Sequence, residues 1–231
     1  MSQKTILRIS AIVSGISGII ILIGVIYPIV SYDSKFAAKY DSFISPVSEK
    51  NLVAGSAQVK AEKTEIDYTQ ASNWFVGGAT SADFTSSKVE YYTISIPKLK
   101  IDKATVAIGG EDLSEHVIQY PGTALPGKRG NAALFGHSIL PIFYDPKNYL
   151  SIFSLLPTLK TGDEIFVDYD GISYKYRVET MFEVLPTDIQ VLDQDTTDSF
   201  LTLVTCVPPG DPRKPKRLIV RARIIPPETI R

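Results

Sequence analysis

A run of about 20 uncharged residues beginning at Ile9, rich in Ile and Val, decides first where the rest of the chain can fold. A helix of that length crosses a hydrocarbon core of about 30 Å. The other readings are a buried helix or a cleaved signal peptide. The run is longer than a usual signal core, no small-residue cleavage site directly follows it, and Tyr27, Pro28 and Tyr32 suit an interfacial end. It therefore reads as an uncleaved single-pass anchor. Lys4 and Arg8 precede the span, which places the amino terminus in the cytoplasm and everything after about Ser31 outside the cell membrane. No second span is expected, because the carboxyl end runs from Arg221 to Pro227 and stops in polar residues.

An exported chain with a single cysteine, Cys206, cannot form an internal disulfide. Its thiol is either an inert buried group or a reactive one. The formal net charge is -1 and there is no long basic stretch, so nucleic acid is not an expected partner.

Three parts are expected: a cytoplasmic tip and membrane anchor over residues 1–30, an extracellular stalk over 31–88, and a catalytic domain over 89–231. The stalk is rich in Ser, Ala, Lys, Asp and Thr, with some helix expected near Ser34 to Phe43. Trp74 and Phe75 either pack on the following domain or belong to a segment that covers a groove. From Val89 the texture changes to short β-rich runs between turn residues. Candidate strands are Tyr92 to Ile96, Ala104 to Ile108, Ala132 to Phe135, Glu164 to Tyr169, Ser173 to Leu185, Phe200 to Cys206 and Leu218 to Ile225. Asp170-Gly171 joins two of them as a hairpin. Such spacing points to an all-β sandwich or barrel. The proline-rich loop Ser138 to Pro157, with Ile139, Leu140, Ile142 and Phe143, is either a wall beside a groove or a purely structural loop.

Alternation sends Leu201, Leu203 and Thr205 to one face of their strand and Thr202, Val204 and Cys206 to the other. Leu201 and Leu203 are the better core residues, so Cys206 faces away from the core at a strand end. In the last strand Leu218, Val220 and Ala222 face inward and Arg217 outward. A short connection lets that strand return antiparallel, with Arg217 level with Cys206. Only His116 and His137 are available as a basic partner. His137 follows the apolar run Ala132 to Gly136 and opens a loop, whereas His116 lies among Glu111, Asp112 and Glu115 and reads as a surface residue.

Leu-Thr-Leu-Val-Thr-Cys ending at Cys206, followed by Arg-Leu-Ile-Val-Arg from Arg217, with Gly136-His137 upstream, resembles the signature of the sortase family. The likeness extends over about Tyr92 to Ile225 and takes in Ile96-Pro97-Lys98-Leu99 and the run Pro121 to Gly127. It implies a closed, mostly antiparallel eight-stranded β-barrel with short helices and loops. It also implies a cysteine transpeptidase in which Cys206 is the nucleophile, His137 the acid–base and Arg217 the oxyanion cation. Thr202, Val204 and Thr205 would line or order the substrate groove. The partners so implied are surface proteins or pilins bearing a Leu-Pro-x-Thr-Gly-like motif, with an amine acceptor from a cell-wall precursor or a pilin lysine. No cofactor is expected. Some family members bind calcium, but Glu111, Asp112 and Glu115 match no specific ligand spacing. An exported β-domain that binds peptides without turnover is the competing reading, and a Cys–His enzyme of another family is a third.

Overall fold

The computed structural model describes residues 3–32, 41–42, 66–85 and 90–226. A two-residue strand, β1 (Asp41–Ser42), precedes eight others: β2 (Glu90–Ile96), β3 (Ile101–Ile108), β4 (Val117–Gln119), β5 (Gly130–Phe135), β6 (Glu164–Tyr169), β7 (Ile172–Val184), β8 (Ser199–Val207) and β9 (Lys216–Ile224). Strands β2 to β9 close on themselves in the order β7-β6-β2-β3-β4-β5-β8-β9, with β9 pairing back onto β7. This is the eight-stranded barrel that the resemblance implies. Within the barrel, only the β3–β4 and β5–β8 pairings are parallel among the described residues.

Local chemistry accounts for the register. Asp170 and Gly171 both take positive φ, 51° and 73°, as a two-residue turn between right-twisted strands requires. The turn fixes Tyr169 opposite Ile172 and carries the pairing on to Glu164 opposite Arg177. β4 was not among the seven expected strands. Its three residues are all buried and give no alternation to read.

Alternate residues divide between two apolar layers. Ile94, Val106, Leu134, Leu201, Leu203, Leu218 and Val220 fill the barrel. Their neighbours Ala133, Phe135, Val204, Cys206 and Ile219 point outward and are buried as well. Every residue of β5 and of β8 is buried. Both faces of this central pair are thus covered, unlike a barrel wall that faces water.

The outer cover comes from residues 66–85, which fold onto the barrel from within the expected stalk. They form a 3-10 turn, Ala71–Trp74, and a single helical turn, Ser81–Phe84. The helix expected near Ser34 to Phe43 lies outside the described residues except for Asp41–Ser42, which pair parallel with Phe182 and Glu183 of β7. Before all of these stands the helix α1 (Gln3–Tyr32), about 45 Å long at the usual rise. It is long and apolar enough to cross a membrane, and Ile19, Ile20 and Ile21 on it are exposed.

The proline-rich loop after β5 is structural at its far end, where Ile152, Phe153 and Leu156 join the barrel core. Its near end stands beside the turn after β8. A methyl group on Gly210 would meet Leu140 at 2.5 Å, so only glycine fits between them.

Candidate active site

Cys206 and Arg217 face each other in the antiparallel pairing of β8 with β9, as alternation and a short return connection required. His137 reaches the same end from β5, which runs parallel to β8. Three bonds pin the turn at His137 to its surroundings. The Gly136 amide donates to the Val204 carbonyl at 3.2 Å, and the Thr205 hydroxyl donates to the Gly136 carbonyl at 2.9 Å. The Ser138 hydroxyl donates to the Cys206 carbonyl at 2.7 Å. His137 therefore rides on the strand that carries the thiol.

All three candidate residues are buried. Cys206 and Arg217 are each 1% exposed and His137 is 7% exposed. The outward placement of Cys206 and Arg217 holds, but outward here leads to a second apolar layer and not to solvent. Trp74 stacks on Phe135 with ring centroids 5.3 Å apart, and its carbonyl accepts from Arg217 Nε at 3.1 Å. Arg217 Nη1 donates to the carbonyls of Lys214 and Lys216 at 2.8 and 3.1 Å. Its guanidinium lies 5.5 Å from the Trp74 ring centroid and 5.6 Å from that of Tyr68. The partners found for Arg217 among the described residues are neutral carbonyls and rings. Its charge is left free to serve an anion.

Backbone bonds seat the covering segment. Ala71 N–H donates to the Glu111 carbonyl, Leu113 N–H to that of Thr69, and Val76 N–H to that of Pro186, at 2.8–2.9 Å. The Tyr120 hydroxyl accepts from Ala79 N–H, and Ser81 donates to the Glu111 carboxylate. Glu111 and Asp112 thus meet the cover, Asp112 through a bridge to Gln70.

The electrostatics follow from burial and from two cations. Burial pushes the Cys206 thiol up, while Arg217 and Lys214 pull it down. Burial pushes His137 down to about 4, helped by the Lys214 charge and opposed by Asp67. At neutral pH His137 is therefore an uncharged imidazole in this covered state. Lys214 Nζ lies 3.3 Å from His137 Nε2 and 5.1 Å from the Tyr68 ring centroid.

Of the three residues expected along the groove, Val204 lies in the outer layer with Trp74 and Phe135. The two threonines order the wall through their hydroxyls. Thr202 donates to Asn131 Oδ1 at 2.7 Å, and Thr205 ties Gly136 as described. His116, read as a surface residue, packs its ring 5.3 Å from Tyr91 and 5.8 Å from Tyr149.

Lys214 and Tyr68 were not found from the sequence. Lys214 sits in the run Pro212-Arg213-Lys214-Pro215-Lys216-Arg217, where nothing local separates one cation from the next. Tyr68 lies in the presumed stalk.

A sortase-domain family model matches residues 94–225, more than half of the chain. Sortase A of Streptococcus agalactiae serotype III (strain NEM316) is 27% identical over 183 residues, covering 78% of this chain and 70% of that relative. Sortase A of Staphylococcus aureus (strain NCTC 8325 / PS 47) is 33% identical over 130 residues, covering 48% of this chain and 59% of the relative. Among solved structures, a lid mutant of sortase A from Corynebacterium diphtheriae superposes with a TM-score of 0.52 at 27% identity, covering 62% of this chain and 74% of that one. Sortase C-1 from Actinomyces oris gives 0.51 at 29% identity, with coverages of 59% and 73%.

Proposed function

The chain belongs to the sortase family of cysteine transpeptidases, and on that premise we propose that it cuts a Leu-Pro-x-Thr-Gly-like sorting motif through a thioacyl intermediate on Cys206. The observation that carries the reading is the cross-strand pairing of Cys206 with Arg217, with His137 tied to the same strand end. A thiolate attacks the threonyl carbonyl best where positive charge lowers its pKa and awaits the developing oxyanion. Arg217, held by three carbonyls and paired with no carboxylate among the described residues, supplies that charge. His137 donates a proton to the leaving amine. An incoming amine then resolves the thioester, from a cell-wall precursor or from a pilin lysine, and water in its place gives hydrolysis. The products are surface proteins or pilins joined covalently to the wall or to one another.

The groove for the motif is the outer face of β5 and β8, with Ala133, Phe135 and Val204 as its floor. Residues 66–85 occupy that face, so turnover requires them to lift away. Helix α1 holds the enzyme in the cell membrane with its amino terminus in the cytoplasm and the barrel outside. Lys4 and Arg8 support that orientation. The reading needs no cofactor.

Burial of the thiol is the observation that favours a peptide-binding domain without turnover, and one experiment separates the two. The full chain in detergent micelles is incubated with a library of sorting-motif peptides and a labelled amine, beside Cys206→Ala and Arg217→Ala. The transpeptidase gives an amine-joined product that Cys206→Ala abolishes and Arg217→Ala lowers by about 10²-fold or more. Peptide binding with no joined or hydrolysed product would establish the binding domain instead.

A further inference from the structure

The site holds a second cation whose placement is as specific as that of Arg217. Lys214 takes φ of +45°, a left-handed conformation uncommon outside glycine and asparagine, so its side chain is aimed by the turn after β8. That turn is built around Asp211, 2% exposed, whose carbonyl accepts from Lys214 N–H at 3.1 Å. The Asp211 carboxylate clamps Arg213 through Nε at 3.0 Å and Nη2 at 2.6 Å. The result is a lysine Nζ 3.3 Å from His137 Nε2.

An ammonium can only donate, so at this contact Nε2 is the acceptor and the imidazole proton sits on Nδ1. Nδ1 is buried and has no hydrogen-bond partner among the described residues. An unmet buried N–H costs about 1–3 kcal/mol. In that tautomer Nδ1 is a donor held without an acceptor, on a residue tied to the strand end that carries the thiol. Both residues lie outside the covering segment, His137 just after β5 and Lys214 in the turn between β8 and β9, and the cover meets the pair through Asp67 and Tyr68.

Resting on the sortase reading above, we propose that Lys214 is a positioning residue of the reaction: it fixes His137 as the Nδ1–H tautomer and relays the proton that His137 delivers. When the tetrahedral intermediate collapses to the thioester, the scissile C–N bond breaks and the Nδ1 proton passes to the leaving nitrogen. Lys214 transfers a proton to Nε2 in the same event, leaving a neutral amine and a neutral imidazole with its proton on Nε2. The second half runs the other way. The acceptor nitrogen forms its C–N bond as the C–S bond breaks, its proton passes to Nδ1, and the Nε2 proton returns to Lys214.

Charge supports this assignment. His137 feels the charges of Lys214 and of Asp67 from the cover, and Lys214 feels Cys206 from β8, Arg217 from β9 and Asp67, with its Nζ over the Tyr68 ring. Burial lowers Lys214 from its ordinary value, which brings a proton donor of that class closer to imidazole.

The chain has two histidines, so its imidazole nitrogens can be read directly by 15N NMR of the full chain labelled at histidine, in detergent micelles. Variants Lys214→Met and Lys214→Arg are compared with the parent for tautomer and for transfer kinetics. The parent should show His137 with its proton on Nδ1. Lys214→Met should move the proton to Nε2 and lower kcat about 10²-fold with KM within about twofold. Lys214→Arg, which keeps a donor-only head, should keep the tautomer. A parent spectrum with the proton on Nε2 overturns the proposal whatever the variants do. So does wild-type kcat in Lys214→Met. A parent that transfers nothing to an amine overturns the sortase reading and this proposal with it, whereas an active parent with an indifferent Lys214 overturns this proposal alone.

Discussion

Replacing Trp74 with alanine should expose Cys206 without unfolding the barrel. The Trp74 side chain is fully buried, stacks on Phe135, and donates its indole N–H to the Tyr68 carbonyl at 2.9 Å. Truncating a buried tryptophan typically costs about 3–5 kcal/mol. Trp74 belongs to the cover and not to any strand, so that cost falls on docking residues 66–85 against β5 and β8. At about 1.4 kcal/mol per factor of ten, the covered state loses roughly 10²-fold to a few thousandfold of its advantage. Cys206 is the only thiol, so its labelling by an uncharged alkylating reagent at neutral pH reports the fraction of uncovered molecules. The rate in Trp74→Ala should rise by that factor, up to the point at which the uncovered state predominates. The Arg217 bond to the Trp74 carbonyl is a main-chain contact and survives the substitution, so the rise should stay below that of a chain with the whole cover displaced. An unchanged labelling rate, with the barrel still folded by circular dichroism, would refute the argument that this segment buries the thiol.

Two further outcomes follow from the same contacts. His137 is held down to about 4 against an ordinary 6.5, so below pH 6.5 the unfolded chain binds a proton that the folded chain refuses. Its neutral form contributes stability that is complete above that pH and is lost as pH falls towards 4, amounting to ~3 kcal/mol. Tm should therefore fall more steeply with acid in the parent than in His137→Gln, and equal slopes would contradict the assignment. Gly136→Ala would put a methyl 2.3 Å from the Phe153 ring, which is fully buried and has no room to yield. The substitution should cost about 1–3 kcal/mol in chemical denaturation and slow amine transfer by displacing His137, the next residue.

The pairing of Cys206 with Arg217 was legible because strand alternation and a short return connection leave few registers. The hairpin at Asp170-Gly171 was legible because its two positive φ values call for those residue types. The outer layer was not legible. Val204 and Ile219 read as an exposed face when each strand is taken alone, and what covers them, Trp74 and Phe84, lies more than 100 residues earlier. Alternation reports which side a residue faces, not whether another segment lies on that side. The threonines of β8 show the same limit. Thr202 and Thr205 carry hydroxyls suited to a substrate, and only the folded positions of Asn131 and Gly136 reveal that both are already engaged. Lys214 was hidden for a different reason, since a loop has no period and its orientation depends on the backbone turn around Asp211.

The most direct test of the central claim is the intact mass of the full chain after incubation with a sorting-motif peptide and no amine. The account predicts a single added acyl group that maps to Cys206, is absent from Cys206→Ala, and is released when an amine is supplied. No adduct with any peptide of the library, from a Trp74→Ala chain whose thiol labels freely, would contradict it.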